Sequence, residues 1–263
     1  MEHVKDFFLQ RYKFSSEIGL FSFALVGAVR VKLGPARTLN WAQSLILTFL
    51  TCFGGGIISP FLLGKPPFLL VNDLIVIFVL ICWLLANRLH NFTPKLLFTP
   101  IFRQTFVALA ETFKINAICS MVSFAMNEIP SGKFYPIPFW GPIVVGTLLG
   151  CGGMFLPFDK GLKSIENGSP WPLQSSFYAA FTYHILAHDP NFKKYTNLSL
   201  SEESARFGVV VGIVLIALLQ TFFGDDFNPF RPVHNFMYVV TGIRSGRVNS
   251  KKTEVKKNQK KNK

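Results

Sequence analysis

The chain has 263 residues, 50% hydrophobic and 16% charged, with a mean hydropathy of +0.36 and a formal charge of +13. Soluble domains carry about 25% charged residues, so this composition excludes an ordinary water-soluble fold. Seven spans of about 20 residues each would fill the length as one domain.

In chain order the apolar segments fall at 16–34, 40–63, 68–87, about 100–126, 137–158, about 172–188 and 207–224. The third (FLLVNDLIVIFVLICWLLA) and the seventh (FGVVVGIVLIALLQTFFG) are the most uniformly apolar. Segments one, four and six carry more polar groups, which predicts that they face protein or water rather than lipid. Pro66, Pro67, Pro136, Pro138, Pro170 and Pro172 stand at segment entries, where a missing amide hydrogen is tolerated. The N-terminal MEHVKDFFLQRYKF lacks the apolar core of a cleaved signal. The predicted domains are a membrane unit over 1–226 and a basic tail over 227–263.

Residues 250–263 hold seven lysines and one acid. Beside a membrane such a run reads as a cytosolic tail and not as a nucleic-acid site. Loops 1–2, 3–4 and 5–6 together with the tail hold 18 basic residues, and the opposite side holds eight. The expected topology therefore has a luminal N-terminus and a cytosolic C-terminus. Three N-x-S/T sites occur, at Asn91, Asn167 and Asn197. Only Asn197 faces the lumen in this topology, as a candidate glycan acceptor.

Two stretches match one pattern, G-G-x-x-x-P-F-x-x-G. One starts at Gly55 (GGIISPFLLG) and the other at Gly152 (GGMFLPFDKG). They lie in segments two and five. Three spans separate them, and an odd offset reverses direction. The footprint is a 3+3 inverted repeat, about 16–87 against about 100–188, with a seventh helix over 207–224. Gly54, Gly55, Gly56 and Pro60 in one copy, and Gly150, Gly152, Gly153 and Pro157 in the other, predict Gly/Pro-broken helices lining a path. Close packing through small residues is the plainer alternative. The first copy ends in apolar Phe61–Gly64. The second ends in Phe158-Asp159-Lys160-Gly161, which predicts unequal mouths with the ionisable pair on the cytosolic side.

On these residues the chain resembles the trimeric intracellular cation channel (TRIC) family. The likeness runs from about 40 to 224, through CFGGGIISPFLLGKPP, FVALAETFKI, VVGTLLGCGGMFL and SPWP. It implies a homotrimer in the endoplasmic or sarcoplasmic reticulum membrane, or the nuclear envelope continuous with it. Each subunit would have one pore, between helices two and five. The implied activity is a potassium current that balances charge during calcium release and uptake. Calcium-release channels and calcium pumps would then be its functional partners. Family members also bind a phosphoinositide through basic residues of span four. Where the family has Lys-Glu-Val and a second basic residue four positions after the lysine, this chain has Ala110, Glu111 and Thr112, then Lys114. Of the two basic positions only Lys114 is kept, so the resemblance implies phosphoinositide binding through Lys114 together with other groups. Glu111 and Lys114, at i and i+3, can equally pair on one helix face. The terminal KKNK places Lys260 and Lys261 as a dilysine retrieval signal.

Other constellations point away from catalysis. His184 and His188 have metal-ligand spacing, but with five histidines in all they read as polar helix contacts, and no metal site is expected. Cys52, Cys82, Cys119 and Cys151 all sit in apolar segments and read as small buried hydrophobes. Asp225 and Asp226 read as surface charge after span seven. No nucleophile elbow, zinc motif or P-loop appears. Neither an enzyme nor an enzymatic cofactor is expected. The rival reading is an alternating-access transporter, since inverted repeats and broken helices serve those as well.

Overall fold

A computed structural model describes residues 2–34, 39–88, 99–156, 162–165, 169–196, 200–224 and 227–241, and all regular structure among them is helical. The helices are α1 (Glu2–Phe8), α2 (Ser15–Leu33), α3 (Trp41–Leu62), α4 (Phe68–Val71), α5 (Asp73–Arg88), α6 (Pro100–Glu128) and α7 (Trp140–Cys151). A 3-10 turn over Gly152–Phe155 continues α7, followed by α8 (Trp171–His188), α9 (Pro190–Thr196), α10 (Glu202–Phe223) and α11 (Arg231–Thr241). All seven predicted segments are helical. Trp41–Leu62, Pro100–Glu128 and Glu202–Phe223 are long and apolar enough to cross a membrane.

Local chemistry sets the ends. Asn40 caps α3 by accepting from the Gln43 amide at 2.9 Å, and Ser201 caps α10 through the Ser204 amide at 3.2 Å. Pro100 and Pro172 sit in the first turns of α6 and α8, as their missing donors require. The third segment is split. Asn72 leaves helical geometry at φ −130° and its side chain accepts from the Leu74 amide at 3.1 Å. The polar Asn-Asp pair thus makes a cap where hydropathy alone predicts one continuous helix.

The packing has two halves. Residues of α2, α3 and α5, among them Ala24, Phe53, Val79 and Cys82, form one core. Residues of α6, α7, α8 and α10, among them Ile118, Ile143, Tyr183 and Val210, form another. Between the halves, α2 packs on α6 and α3 on α7, so the first two helices of each repeat meet their counterparts. α10 packs on α6 and α8, outside this exchange. This is the arrangement expected of two three-helix repeats with a seventh helix added.

The direction of the repeat can be read at the α3–α7 crossing. The Ser59 hydroxyl donates to the Val145 carbonyl at 3.0 Å. A Cβ on Gly55 would overlap the Leu149 carbonyl oxygen, one on Gly54 would lie 2.8 Å from the Gly153 Cα, and one on Gly153 would overlap the Thr51 carbonyl oxygen. As positions rise along α3, their partners on α7 fall, so the two helices run antiparallel.

The two expected breaks differ. α7 gives way to the tighter 3-10 turn at Gly152. α3 stays α-helical through Gly54–Gly56 and past Pro60 to Leu62, a correction to the expected break there. Pro60 stands in the last turn. Only one helical bond, to the Gly56 carbonyl, is forgone, and the Pro60 carbonyl accepts from the Leu63 and Lys65 amides at 2.9 Å each. Gly64, at φ +67°, supplies the left-handed residue that closes the helix. Thus the first copy of the motif spells a close approach, a final turn and a helix stop. In the second copy, Pro157 and the Asp159-Lys160 mouth lie outside the described residues.

Candidate functional site

The glycine crossing floors a cavity. Where α3 and α7 touch, the helices meet backbone to backbone: a Cβ on Gly152 would come within 2.6 Å of the Gly55 Cα. Gly54, Gly55, Gly56 and Gly152 are buried. Gly150 faces α8, where a Cβ would overlap the Ser176 hydroxyl. Close packing is therefore the immediate role of these glycines, with Gly56 the exception, since a Cβ there would only touch Phe68 at 3.4 Å.

On one side of the crossing lies a pocket of about 140 Å³. Thr51, Cys52, Gly150 and Gly153 line it from the repeat helices, and Arg30, Ala110, Glu111 and Lys114 from α2 and α6. A second, more open pocket of about 370 Å³ shares Val26, Arg30, Val107, Glu111 and Pro172 with the first. It adds Arg103, Trp171, Gln220 and Thr221. The two form one funnel. Its wide end is built from the end of α2, the starts of α6 and α8 and the end of α10. These are all helix ends on the side that the charge count assigns to the cytosol. Its narrow end stops at the glycines.

Lys114 sits at the narrow end, 7% exposed. Its ammonium pairs with Glu111 at 2.5 Å and donates to the Ser175 hydroxyl at 3.1 Å. Ser175 passes the chain on by donating to the Pro172 carbonyl at 3.3 Å. A buried ammonium needs such partners, because the desolvation of each ion costs several kcal/mol, on the order of what a good pair returns. The i,i+3 pairing anticipated from sequence is present, and it lies inside the funnel. Ala110, the position that lacks the family's first lysine, lines the same pocket, and Arg30 enters it from α2. Sequence reading counts Arg30 and Arg103 only as topology charges. The approach of Arg30 to Glu111 and Lys114 depends on the α2–α6 contact, which no local pattern reveals, whereas Arg103 lies on α6 itself.

At the opposite end, Lys65 pairs with Glu128 at 3.0 Å, and Glu203 with Arg11 at 2.7 Å and with Lys5. Glu203 stands ahead of the apolar run that begins at Phe207. The two cations hold its carboxyl below the ordinary range, the Lys5 hydrogen bond most strongly. Asn116, within α6, donates to the Phe8 carbonyl at 2.7 Å, tying α1 down.

The remaining predicted groups are not gathered here. His188 meets Ser123 at 3.3 Å and Glu202 at 3.9 Å, a polar helix contact as expected. His184 is fully buried with neither ring nitrogen partnered, edge-on to Phe139 at 5.2 Å, so it is an aromatic packing group and not the polar contact expected of it. Among the described residues, no three His, Cys, Asp or Glu side chains gather as a metal site. The four cysteines are free and buried. Asn91, Asn167, Asn197, Asp225, Asp226, Lys260 and Lys261 lie outside the described residues.

Comparison with known proteins places this geometry. A family model described as glycine transporter matches residues 14–90. No curated protein sequence matches the chain. Among solved structures, the fold is similar to a TRIC counter-ion channel studied for activity in calcium release. That match has a TM-score of 0.65 and 17% identity, and covers 85% of this chain and 99% of the other. It is also similar to a trimeric intracellular cation channel from C. elegans in the absence of Ca2+, with a TM-score of 0.63, 16% identity, and coverage of 87% and 100%. A third similar structure, of a TRIC cation channel studied for conductance, has a TM-score of 0.53, 20% identity, and coverage of 81% and 93%. The resemblance read from the glycine motifs thus holds at the level of the fold.

Proposed function

We propose that the chain is a monovalent cation channel, conducting mainly potassium, in an intracellular store membrane such as the endoplasmic or sarcoplasmic reticulum. The observation that carries this is the funnel over the α3–α7 crossing. A charged, partly open cavity leads to a point where two antiparallel repeat helices are held apart only by glycines. Small displacements of α7, whose 3-10 turn sits at this point, would open or close a path between the helices. In the arrangement described, the path is shut at the glycines. Lys114 stands just outside it, its charge balanced by Glu111. The pore would lie within each subunit of a homotrimer and supply counter-ion current during calcium release and uptake. The similarity to TRIC structures supports both. A phosphoinositide headgroup would enter the same funnel, lined by Arg30 and Arg103 at its wide end and by Arg30 and Lys114 at its narrow end, although Ala110 removes one expected cation.

One observation favours a second reading. The glycine-transporter family model spans the first repeat, residues 14–90, and a closed crossing at the base of a one-sided funnel also suits alternating access. The two readings separate in a planar bilayer. Unitary potassium currents support the channel, and saturable glycine counterflow without them supports the transporter. The pathway itself is tested by Thr51→Cys. With Cys52 and Cys151 replaced by alanine in both chains, a charged thiol reagent added from the tail side should reduce the potassium current of this variant and leave the chain that keeps Thr51 unaffected. Modification without any loss of current would remove the funnel from the pathway.

A further inference from the structure

Beyond conduction, the helix after span seven carries a surface that none of the described residues covers. Val233, Phe236 and Val240 in α11 fall at i, i+3 and i+7, one apolar stripe. Arg231 and Asn235 fall on the other side. Val233, Phe236 and Val240 are 46%, 64% and 62% exposed. An apolar face this open in a protein–water boundary would be a liability.

The start of the helix is pinned. The Phe230 ring stacks on Tyr178 at 3.9 Å and on Trp171 at 6.2 Å. The Asn228 side chain donates to that of Gln174 at 2.7 Å, and its backbone carbonyl accepts from the Arg231 amide at 3.0 Å. This fixes α11 beside the start of α8 and the end of α10. There Phe222 and Phe223 are exposed, as aromatic residues commonly are where a span leaves the bilayer. At 11 residues, and about 1.5 Å per residue, α11 is too short to cross.

The sequence beyond α11 is basic. Residues 242–263 hold Arg244, Arg247 and seven lysines against the single acid Glu254. Such a segment next to an amphipathic helix is attracted to anionic headgroups and repelled by another copy of itself.

We propose that α11 lies flat in the membrane surface at the end of α10, with Val233, Phe236 and Val240 in the lipid, held there by anionic headgroups against the basic segment. The inference rests on α10 being a span and not on the channel reading, so it survives if no current is found.

The test places a nitroxide on Val240→Cys, or separately on Asn235→Cys, in the full chain. The protein is reconstituted in phosphatidylcholine vesicles with or without phosphatidylserine, and the label background of the unsubstituted chain is subtracted. At 240, oxygen accessibility should exceed that of a water-soluble nickel reagent several-fold in anionic vesicles, while position 235 reports water. Replacing the seven lysines with glutamine, or omitting phosphatidylserine, should lower that ratio. Equal nickel accessibility at 235 and 240 in anionic vesicles would overturn the proposal. So would dipolar broadening between labels at 240, which would mean that a second copy of the chain covers the face. Phe236→Cys gives an independent reading of the same face if the label at 240 disturbs the helix.

Discussion

Two neighbouring glycines give opposite predictions. At Gly55, an added Cβ lies 2.6 Å from the Leu149 carbonyl carbon and overlaps the Leu148 and Leu149 oxygens. These are backbone atoms that no rotamer change can move. To restore an ordinary contact of 3.4 Å with the Leu149 oxygen, α3 and α7 must separate by more than an ångström. A gap of about 0.5–1 Å forfeits roughly a quarter to a half of each dispersion well across the crossing. Overpacking of this kind costs about 1–3 kcal/mol. At Gly56, one residue on, the Cβ meets only Phe68 at 3.4 and 3.8 Å. There the substitution removes a helical glycine at no steric cost and gains about 0.5–1 kcal/mol. Reversible unfolding of Gly55→Ala and Gly56→Ala in mixed micelles should therefore shift in opposite directions from the parent. If Gly55→Ala is as stable as the parent, the helices do not meet at the glycines and the crossing is wrong.

Lys114→Met should destabilise the fold by about 3–5 kcal/mol, because it strands a buried carboxylate. Pairing it with Glu111→Gln should recover most of the loss, and thermal unfolding of the three variants checks this. The depressed Glu203 carboxyl predicts how acid acts on α1. Its contribution is complete above the ordinary carboxylate range and is lost as pH falls through its lowered value. The protection of amides in 2–8, relative to their intrinsic exchange, should therefore hold at neutral pH and fall only below about pH 4, while Glu203→Gln lowers it at neutral pH. The buried thiols Cys82 and Cys119 should resist maleimide until the protein unfolds. Labelling of either in the folded protein would contradict the two-core packing.

Much of the fold was legible because the bilayer demands long apolar helices, and the seven segments record that demand directly. The repeat was legible because its glycines serve a backbone contact that tolerates no side chain. The split between α4 and α5 was hidden by the hydropathy of its surroundings, although Asn72-Asp73 carried the cap signal. α11 was hidden for a different reason. Its described apolar stripe is only three residues, set in a segment that charge marks as tail. The site was legible only in part. Lys114 stood out as a cation within a span, and Glu111 as its neighbour on the helix. Arg30 and Ser175 reach the funnel from other helices, and only the packing of α2 and α8 against α6 brings them to Lys114. The reading of the glycines as a broken path gave way to an unbroken α3 and a shut crossing. What remains of it is the 3-10 turn that ends α7 at the crossing.

A funnel that ends in a cation gate is tested by single-channel recording of the purified full chain in a planar bilayer under a potassium chloride gradient. Unitary currents that reverse near the potassium equilibrium potential are expected. Saturable glycine exchange with no unitary current would rule the gate out.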